Sequence, residues 1–192
     1  MAFENPSRLE MFLHGFVQHY LLSPWYRRYA ESLGLRADEA VIELGSGSGA
    51  LSRHLARCLA DGGHLTCVDL SEAWTRVARK RLRRLGNVTL RAGDISRLDL
   101  PEDAFDAAVM HFTLHDIEEG ARMPVLQALA PVLKPDGRLF IREPTREDHG
   151  MQPDEIRRLM TEAGLQEVDA QCARSLIGGP TYSGTFAPAS AG

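Results

Sequence analysis

The chain predicts an α/β fold: a doubly wound, mostly parallel sheet of seven strands flanked by helices. Three observations predict it. After Asp38, apolar strand-like runs alternate about five times with segments whose apolar residues recur every three or four positions. The first of these junctions, "VIELGSGSGALSRHLA" at 41–56, passes from strand to helix through three glycines. The last two strand-like runs, "LQEVDAQCAR" and "PTYSGTFAP", have no helical pattern between them, which predicts a terminal antiparallel hairpin.

Taken in order, residues 7–33 read as helical, with Leu9, Phe12, Leu13, Phe16, Val17, Tyr20 and Leu21 on one stripe. Ser23-Pro24 marks a break at which the serine caps and the proline starts a second helix. Residues 1–37 therefore form an N-terminal helical extension ahead of a domain at 38–192. Within that domain, 39–44 is a strand, 49–60 a helix, Asp61-Gly62-Gly63 a turn and 64–69 a strand. Ser71 caps a helix running to about Leu85, and Gly86-Asn87 stops it. "VTLRAGD" is the third strand, and "FDAAVMHF", apolar on both faces, the fourth. A helix follows at 120–133 with Met123-Pro124 near its start. Then come a turn at Pro135-Asp136-Gly137, the fifth strand "RLFIRE" and a helix at 153–163 that stops at Gly164.

Composition narrows the function. The chain has 192 residues, enough for one α/β domain with a short extension, and its net charge of −4 gives no general drive toward nucleic acid or anionic membrane. Cys58, Cys67 and Cys172 are odd in number and lack zinc-type spacing, so no metal is expected and a reducing cytoplasm is. No run approaches the ~18 apolar residues of a membrane span, and "MAFENPSRLEMFLHGF" does not read as a signal peptide. With Lys80 and Lys134 the only lysines, Schiff-base chemistry has few candidates. The basic run "RVARKRLRRLG" turns Ala78, Leu82 and Leu85 inward and its charges to solvent.

The glycine turn by itself is ambiguous. Gly45, Gly47 and Ala50 satisfy the dinucleotide pattern, and Asp69 lies at the distance of a ribose-binding acid. Glu43, just before the glycines, is unfavourable for a pyrophosphate and favourable for an ammonium-bearing ligand. Asp69 ends the second strand and can accept both hydroxyls of a ribose. Asp94 ends the third and can accept from an exocyclic amine, with Ile95 against the base. Three strand-end acids suit a positively charged nucleoside without phosphates. A dehydrogenase reading also lacks a Tyr-x-x-x-Lys pair and a second substrate domain.

This set resembles the class I S-adenosylmethionine-dependent methyltransferases, in their small-molecule branch. "ELGSGSG" is similar to the family's E/D-x-G-x-G-x-G turn, "KPDGRLFIRE" to its L-K-P-G-G segment, and "HFTLHDI" to the segment lining the cofactor. The resemblance implies a Rossmann-like methyltransferase fold over about 38–187. It implies S-adenosyl-L-methionine as cofactor, S-adenosyl-L-homocysteine as product, and cofactor contacts at Glu43, Gly45, Ser46, Gly47, Gly49, Asp69, Leu70, Trp74, Gly93, Asp94, Ile95 and His111.

In-line methyl transfer needs an aligned nucleophile, and a base only where the acceptor must lose a proton. His115 is the leading base candidate, with His111 and His149 beside it, and Glu143 ends the fifth strand as acid or loop anchor. The aromatic N-terminal segment reads as a lid, which suggests an apolar, aromatic or amine acceptor. The expected partners are that small molecule and a second copy in a homodimer, with no nucleic acid. The alternative from another class is a non-catalytic module that binds S-adenosylmethionine to regulate or hold a partner.

Overall fold

Parallel strands need long crossovers, and the alternation of apolar runs with amphipathic segments supplies them. The computed structural model describes residues 21–175 and 179–189. It separates into two compact units, one ending at Asp94 and the other beginning at Ile95.

The first unit contains α1 (Ser23–Ser32), β1 (Ala40–Leu44), α2 (Ser52–Cys58), β2 (His64–Asp69), α3 (Glu72–Leu82) and β3 (Val88–Ala92). Its strands pair in parallel, with Val41 opposite Leu65 and Leu65 opposite Val88. Val41, Ile42, Leu65, Cys67 and Val68 are fully buried, which is why these strands read as nearly continuous apolar runs. Burying each such valine, leucine or isoleucine contributes roughly 1.5–3 kcal/mol.

Capping follows the sequence in α3 and departs from it in α1. Ser71 accepts from the Trp74 N–H and caps α3 as expected. The helix ends at Leu82, so Ala78 and Leu82 are buried while Leu85 is only partly covered. Asn87, expected only as a stop signal, donates its side-chain amide to the Ala56 and Leu59 carbonyls beside the end of α2, at 2.8 and 3.0 Å. In α1, Pro24 lies in the first turn, but Leu22 occupies the cap position and Ser23 is already helical. Its hydroxyl accepts from Arg53 at 2.7 Å and lies 3.2 Å from His54 Nε2, so it ties α1 to α2 instead of capping. The stripe from Leu9 to Tyr20 lies outside the described residues.

The second unit contains β4 (Phe105–His111), α4 (Glu119–Leu129), β5 (Leu133–Pro144), α5 (Pro153–Glu162), β6 (Leu165–Ser175) and β7 (Gly179–Pro188). Short 3₁₀ turns lie at Ile95–Arg97, Leu114–Asp116 and Ala130–Val132. β4 and β5 are parallel, and β7 runs antiparallel to both β5 and β6, giving the expected hairpin. The helix expected over 120–133 is α-helical only to Leu129, because Pro131 has no N–H for the next helical bond.

The turn expected at Pro135-Asp136-Gly137 is instead part of β5. Phe105 pairs with Leu133 and Ala107 with Arg138, so the intervening residues bulge from the ladder. Lys134 pins the bulge to Asp106 at 2.7 Å. Across the sheet the strands run β3-β2-β1-β4-β5-β7-β6. Among the described residues, no helix is long and apolar enough to cross a membrane.

Candidate cofactor and acceptor sites

In the first unit the loop after β1 holds Gly45, Gly47 and Gly49 at φ of 76°, 50° and 78°. Three left-handed residues in five positions require glycine. The loop is tied to β2 by Gly45 N–H, which donates to the Val68 carbonyl at 2.8 Å. The glycines differ in what they face. A Cβ on Gly49 would come within 3.1 Å of Leu82 on α3, so this glycine permits close helix packing. A Cβ on Gly47 would meet no atom within 4 Å.

Asp69, at the end of β2, fastens this loop. Its Oδ2 accepts the Gly47 N–H at 2.7 Å, and its Oδ1 accepts the Ser71 N–H at 2.9 Å. Burial raises its carboxyl above the usual range, and these two backbone donors oppose the rise. Each oxygen keeps a further lone pair for a ligand hydroxyl. Leu70 beside it is 59% exposed, while Trp74 is buried. The Ser46 hydroxyl is buried and has no hydrogen-bond partner among the described residues. Open space before Gly47, a carboxylate with spare lone pairs, an exposed leucine and an unsatisfied hydroxyl fit a nucleoside carrying hydroxyls and an apolar face.

Glu43 lies deeper, with its Oε2 3.5 Å from the Cys67 sulfur. Burial pushes its carboxyl up to about 7, the Asp69 charge adds to the rise, and the Ser52 and Cys67 side chains pull it back. Burial and the Glu43 charge also push Tyr26 of α1 up to about 12. Gly93 donates its N–H to the Asp69 carbonyl at 2.9 Å. Asp94 closes this unit, and the buried Ile95 opens the next.

In the second unit, chain direction changes at Phe112, whose φ of 55° is rare for a bulky residue. Such a residue costs on the order of 1–3 kcal/mol, and the bond from its N–H to the Arg142 carbonyl at 2.8 Å helps to hold it. The following N–H groups then converge on Glu143, which is fully buried in β5. Its Oε1 accepts from the N–H groups of Thr113 and Leu114 at 3.0 and 2.7 Å. Its Oε2 lies 2.5 Å from Nδ1 of His115. This contact assigns the Nδ1 proton to the Glu143 side and leaves the Nε2 lone pair available in the neutral ring. Burial lowers the His115 pKa, but the Glu143 hydrogen bond and charge, with Asp116, outweigh burial and the nearby Arg122, so the net shift is upward.

His115 Nε2 lies 3.5 Å from an Asp116 oxygen, and His149 Nε2 lies 3.7 Å from the same oxygen. The two imidazoles meet edge to face at 4.9 Å. Arg122 braces the turn by donating to the Ile117 carbonyl at 3.0 Å, and it pairs with Glu155 at 2.7 Å. His111 differs from both. Burial and the Arg142 charge push it down to about 3, which keeps its ring neutral, and it packs against Phe112 at 4.4 Å. The structure thus brings together His115, His149 and Glu143. Asp116 and Phe112 were missed. Asp116 stands next to His115 in "LHDI", a signal that was there to be read, whereas nothing in an aromatic residue's identity announces a positive φ.

The strand order with its reversed β7, and a glycine turn fastened by the acid of the next strand, define a Rossmann-like domain of the methyltransferase class. The chain belongs to the methyltransferase domain family, whose model matches residues 41–137. It is 30% identical over 122 residues to the ubiquinone/menaquinone biosynthesis C-methyltransferase UbiE of Proteus mirabilis, covering 62% of this chain and 48% of that protein. It is 37% identical over 121 residues to the demethylmenaquinone methyltransferase of Tropheryma whipplei, covering 62% and 47%. The chain thus spans about half the length of the curated relatives it matches. In fold it is similar to the Burkholderia thailandensis 1,6-didemethyltoxoflavin-N1-methyltransferase, solved with 1,6-didemethyltoxoflavin and S-adenosylhomocysteine. That likeness has a TM-score of 0.67 at 24% identity and covers 94% of this chain and 88% of that one.

Proposed function

We propose that this protein transfers a methyl group from S-adenosylmethionine to a small hydroxylated aromatic acceptor of the reduced-quinone type, with His115 as the proton acceptor. The observation that carries the reading is the His115–Glu143 pair, a histidine whose Nδ1 is held by a buried carboxylate and whose Nε2 is left to accept. The acceptor class draws support from relatives named as a ubiquinone/menaquinone biosynthesis C-methyltransferase and a demethylmenaquinone methyltransferase.

S-adenosylmethionine supplies an activated methyl carbon. On this reading the Gly45–Gly49 loop and Ser46 hold its methionine end, Asp69 accepts from the ribose hydroxyls, and Leu70 covers the base. Glu43, Trp74, Gly93, Asp94, Ile95 and His111 complete the proposed contacts. His115 takes the acceptor's hydroxyl proton on Nε2, and the resulting imidazolium is stabilised by Glu143. The negative charge released into the ring makes an ortho carbon the nucleophile. Its bond to the methyl carbon forms as the methyl–sulfur bond breaks and S-adenosylhomocysteine leaves. That carbon then gives up its hydrogen as a proton to solvent, restoring the aromatic ring. Residues 1–37 are assigned a lid role, on the resemblance of this aromatic N-terminal segment to the additions found in the family. A reducing, cytoplasmic setting is supported by three free cysteines, of which Cys172 is exposed.

The test follows labelled methyl from S-adenosylmethionine into a reduced, ring-unsubstituted naphthoquinone. We expect a ring-methylated product and S-adenosylhomocysteine. His115→Ala should lower turnover by about 10²–10⁴ with S-adenosylhomocysteine affinity retained. Binding of the cofactor with no transfer to any hydroxylated aromatic would favour the non-catalytic module, and a wild-type rate in His115→Ala would remove the base.

A further inference from the structure

We propose that His115, Asp116 and His149 form a binding site for a divalent transition-metal ion of the zinc class. All three residues belong to the second unit, and their ligand atoms lie within 4.8 Å of one another. The Asp116 oxygen is 3.5 Å from His115 Nε2 and 3.7 Å from His149 Nε2. An ion bonded at about 2.0–2.1 Å to each ligand in tetrahedral geometry sets those atoms roughly 3.3–3.4 Å apart. Two edges of the tetrahedron are therefore nearly formed. The third is closed by a small rotation of His149, whose side chain is 64% exposed on the loop after β5.

A second observation is independent of these distances. Ligating histidines are held by a carboxylate on the ring nitrogen away from the metal, which fixes the tautomer and raises basicity. Glu143 does this to His115 from a fully buried position. Two imidazoles and one carboxylate select zinc, cobalt, nickel or copper over magnesium or calcium. The positive charge nearest the turn, Arg122, is paired with Glu155. A fourth coordination position is left for water or a ligand oxygen. Metal-motif spacing could not reveal this site, because two ligands are adjacent and the third lies 33 residues further along (149 − 116).

One consequence rests on the proposed function. The ion and the acceptor's proton would compete for the same His115 lone pair, so a bound ion inhibits methyl transfer. The site itself stands without that reading.

The experiment titrates the full chain with zinc by calorimetry and with cobalt(II) by visible absorption. The variants are His149→Ala and Asp116→Asn, with Cys172→Ser as control and circular dichroism to verify folding. We expect one equivalent bound by the wild type and by the control, a tetrahedral cobalt spectrum, and affinity reduced at least about tenfold in both site variants. No binding by the wild type, or unchanged binding in both site variants, overturns the site. Transfer assays with zinc then separate the two proposals. Inhibition that needs at least tenfold more zinc in His149→Ala supports the competition. Site-specific binding with undiminished transfer keeps the site and removes His115 as the base.

Discussion

The loops after β1 and β4 are held by the same device and differ in its cost. In each, a carboxylate on the neighbouring strand accepts backbone N–H groups from the loop. Asp69 of β2 takes Gly47, and Glu143 of β5 takes Thr113 and Leu114. The first loop turns on glycines, which adopt positive φ without strain; the second turns on Phe112, which does not. The first leaves its carboxylate spare lone pairs and an exposed neighbour, Leu70. The second buries its carboxylate completely and uses the remaining oxygen to set a histidine. One geometry leaves open space before a glycine, and the other fixes the orientation of an imidazole.

Breaking the second device should cost most. Glu143→Ala strands the part-buried Thr113 N–H, the buried Leu114 N–H and His115 Nδ1, so we expect a loss of roughly 3–5 kcal/mol in chemical denaturation. Glu143→Gln keeps one acceptor oxygen and should lose less than half as much. A loss under 1 kcal/mol in the alanine variant would mean that the loop is held by other contacts.

The first device is tested through binding. Asp69→Ala should weaken S-adenosylhomocysteine binding by about 2–4 kcal/mol, since it removes the acceptor of the proposed ribose bonds and of Gly47. Wild-type affinity by calorimetry would take Asp69 out of the site. The two glycines then separate binding from stability. Gly47→Val meets no clash, so its cost to the fold is the strain of a β-branched residue at φ 50°, while its side chain also fills the approach to the ligand; affinity should fall by more than that strain lowers stability. Gly49→Ala meets Leu82 at 3.1 Å, and melting temperature should fall more than affinity. The reverse order would contradict the assignment of the two glycines.

These contrasts also mark what could be read from residues alone. Burial on both faces wrote "FDAAVMHF" and "AVIEL" as nearly continuous apolar runs, so the strands were legible, and Ser71 identified its own cap. Sequence patterns report local preference, and the misreadings arose where tertiary contacts override it. Pro135-Asp136-Gly137 carries turn chemistry, yet Lys134 and the β4 ladder draw it into a bulged strand. Ser23 is a good cap that the Arg53 guanidinium diverts. In the candidate sites, Asp69 was legible as a strand-end acid, but its bond to a glycine 22 residues earlier was not (69 − 47). The approach of Glu143 to His115 depends on parallel pairing of β4 with β5, which no local pattern encodes.

Glu43 is held by the side chains of Ser52 and Cys67, and it supplies the smallest and most pH-sensitive prediction. Its folded pKa of about 7 stands above the ordinary value of 4.5. Between these values the folded chain retains a proton that the unfolded chain has lost. Its contribution is therefore most favourable below pH 4.5, declines as pH rises toward 7, and is constant above that. Removing the charge should reverse the penalty. Glu43→Gln should raise the unliganded protein's stability by about 1–3 kcal/mol at pH 8 and change it little at pH 4. Ligand binding should run the other way. If the cofactor's ammonium group meets Glu43, it favours the charged carboxylate. Wild-type affinity for S-adenosylhomocysteine should then rise as pH passes through 7, with a proton released on binding that calorimetry in two buffers of different ionisation heat detects. Glu43→Gln should bind more weakly and show no such release. A stability gain that is the same at pH 4 and pH 8 would sink the account, because only titration of the buried carboxyl makes the gain depend on pH.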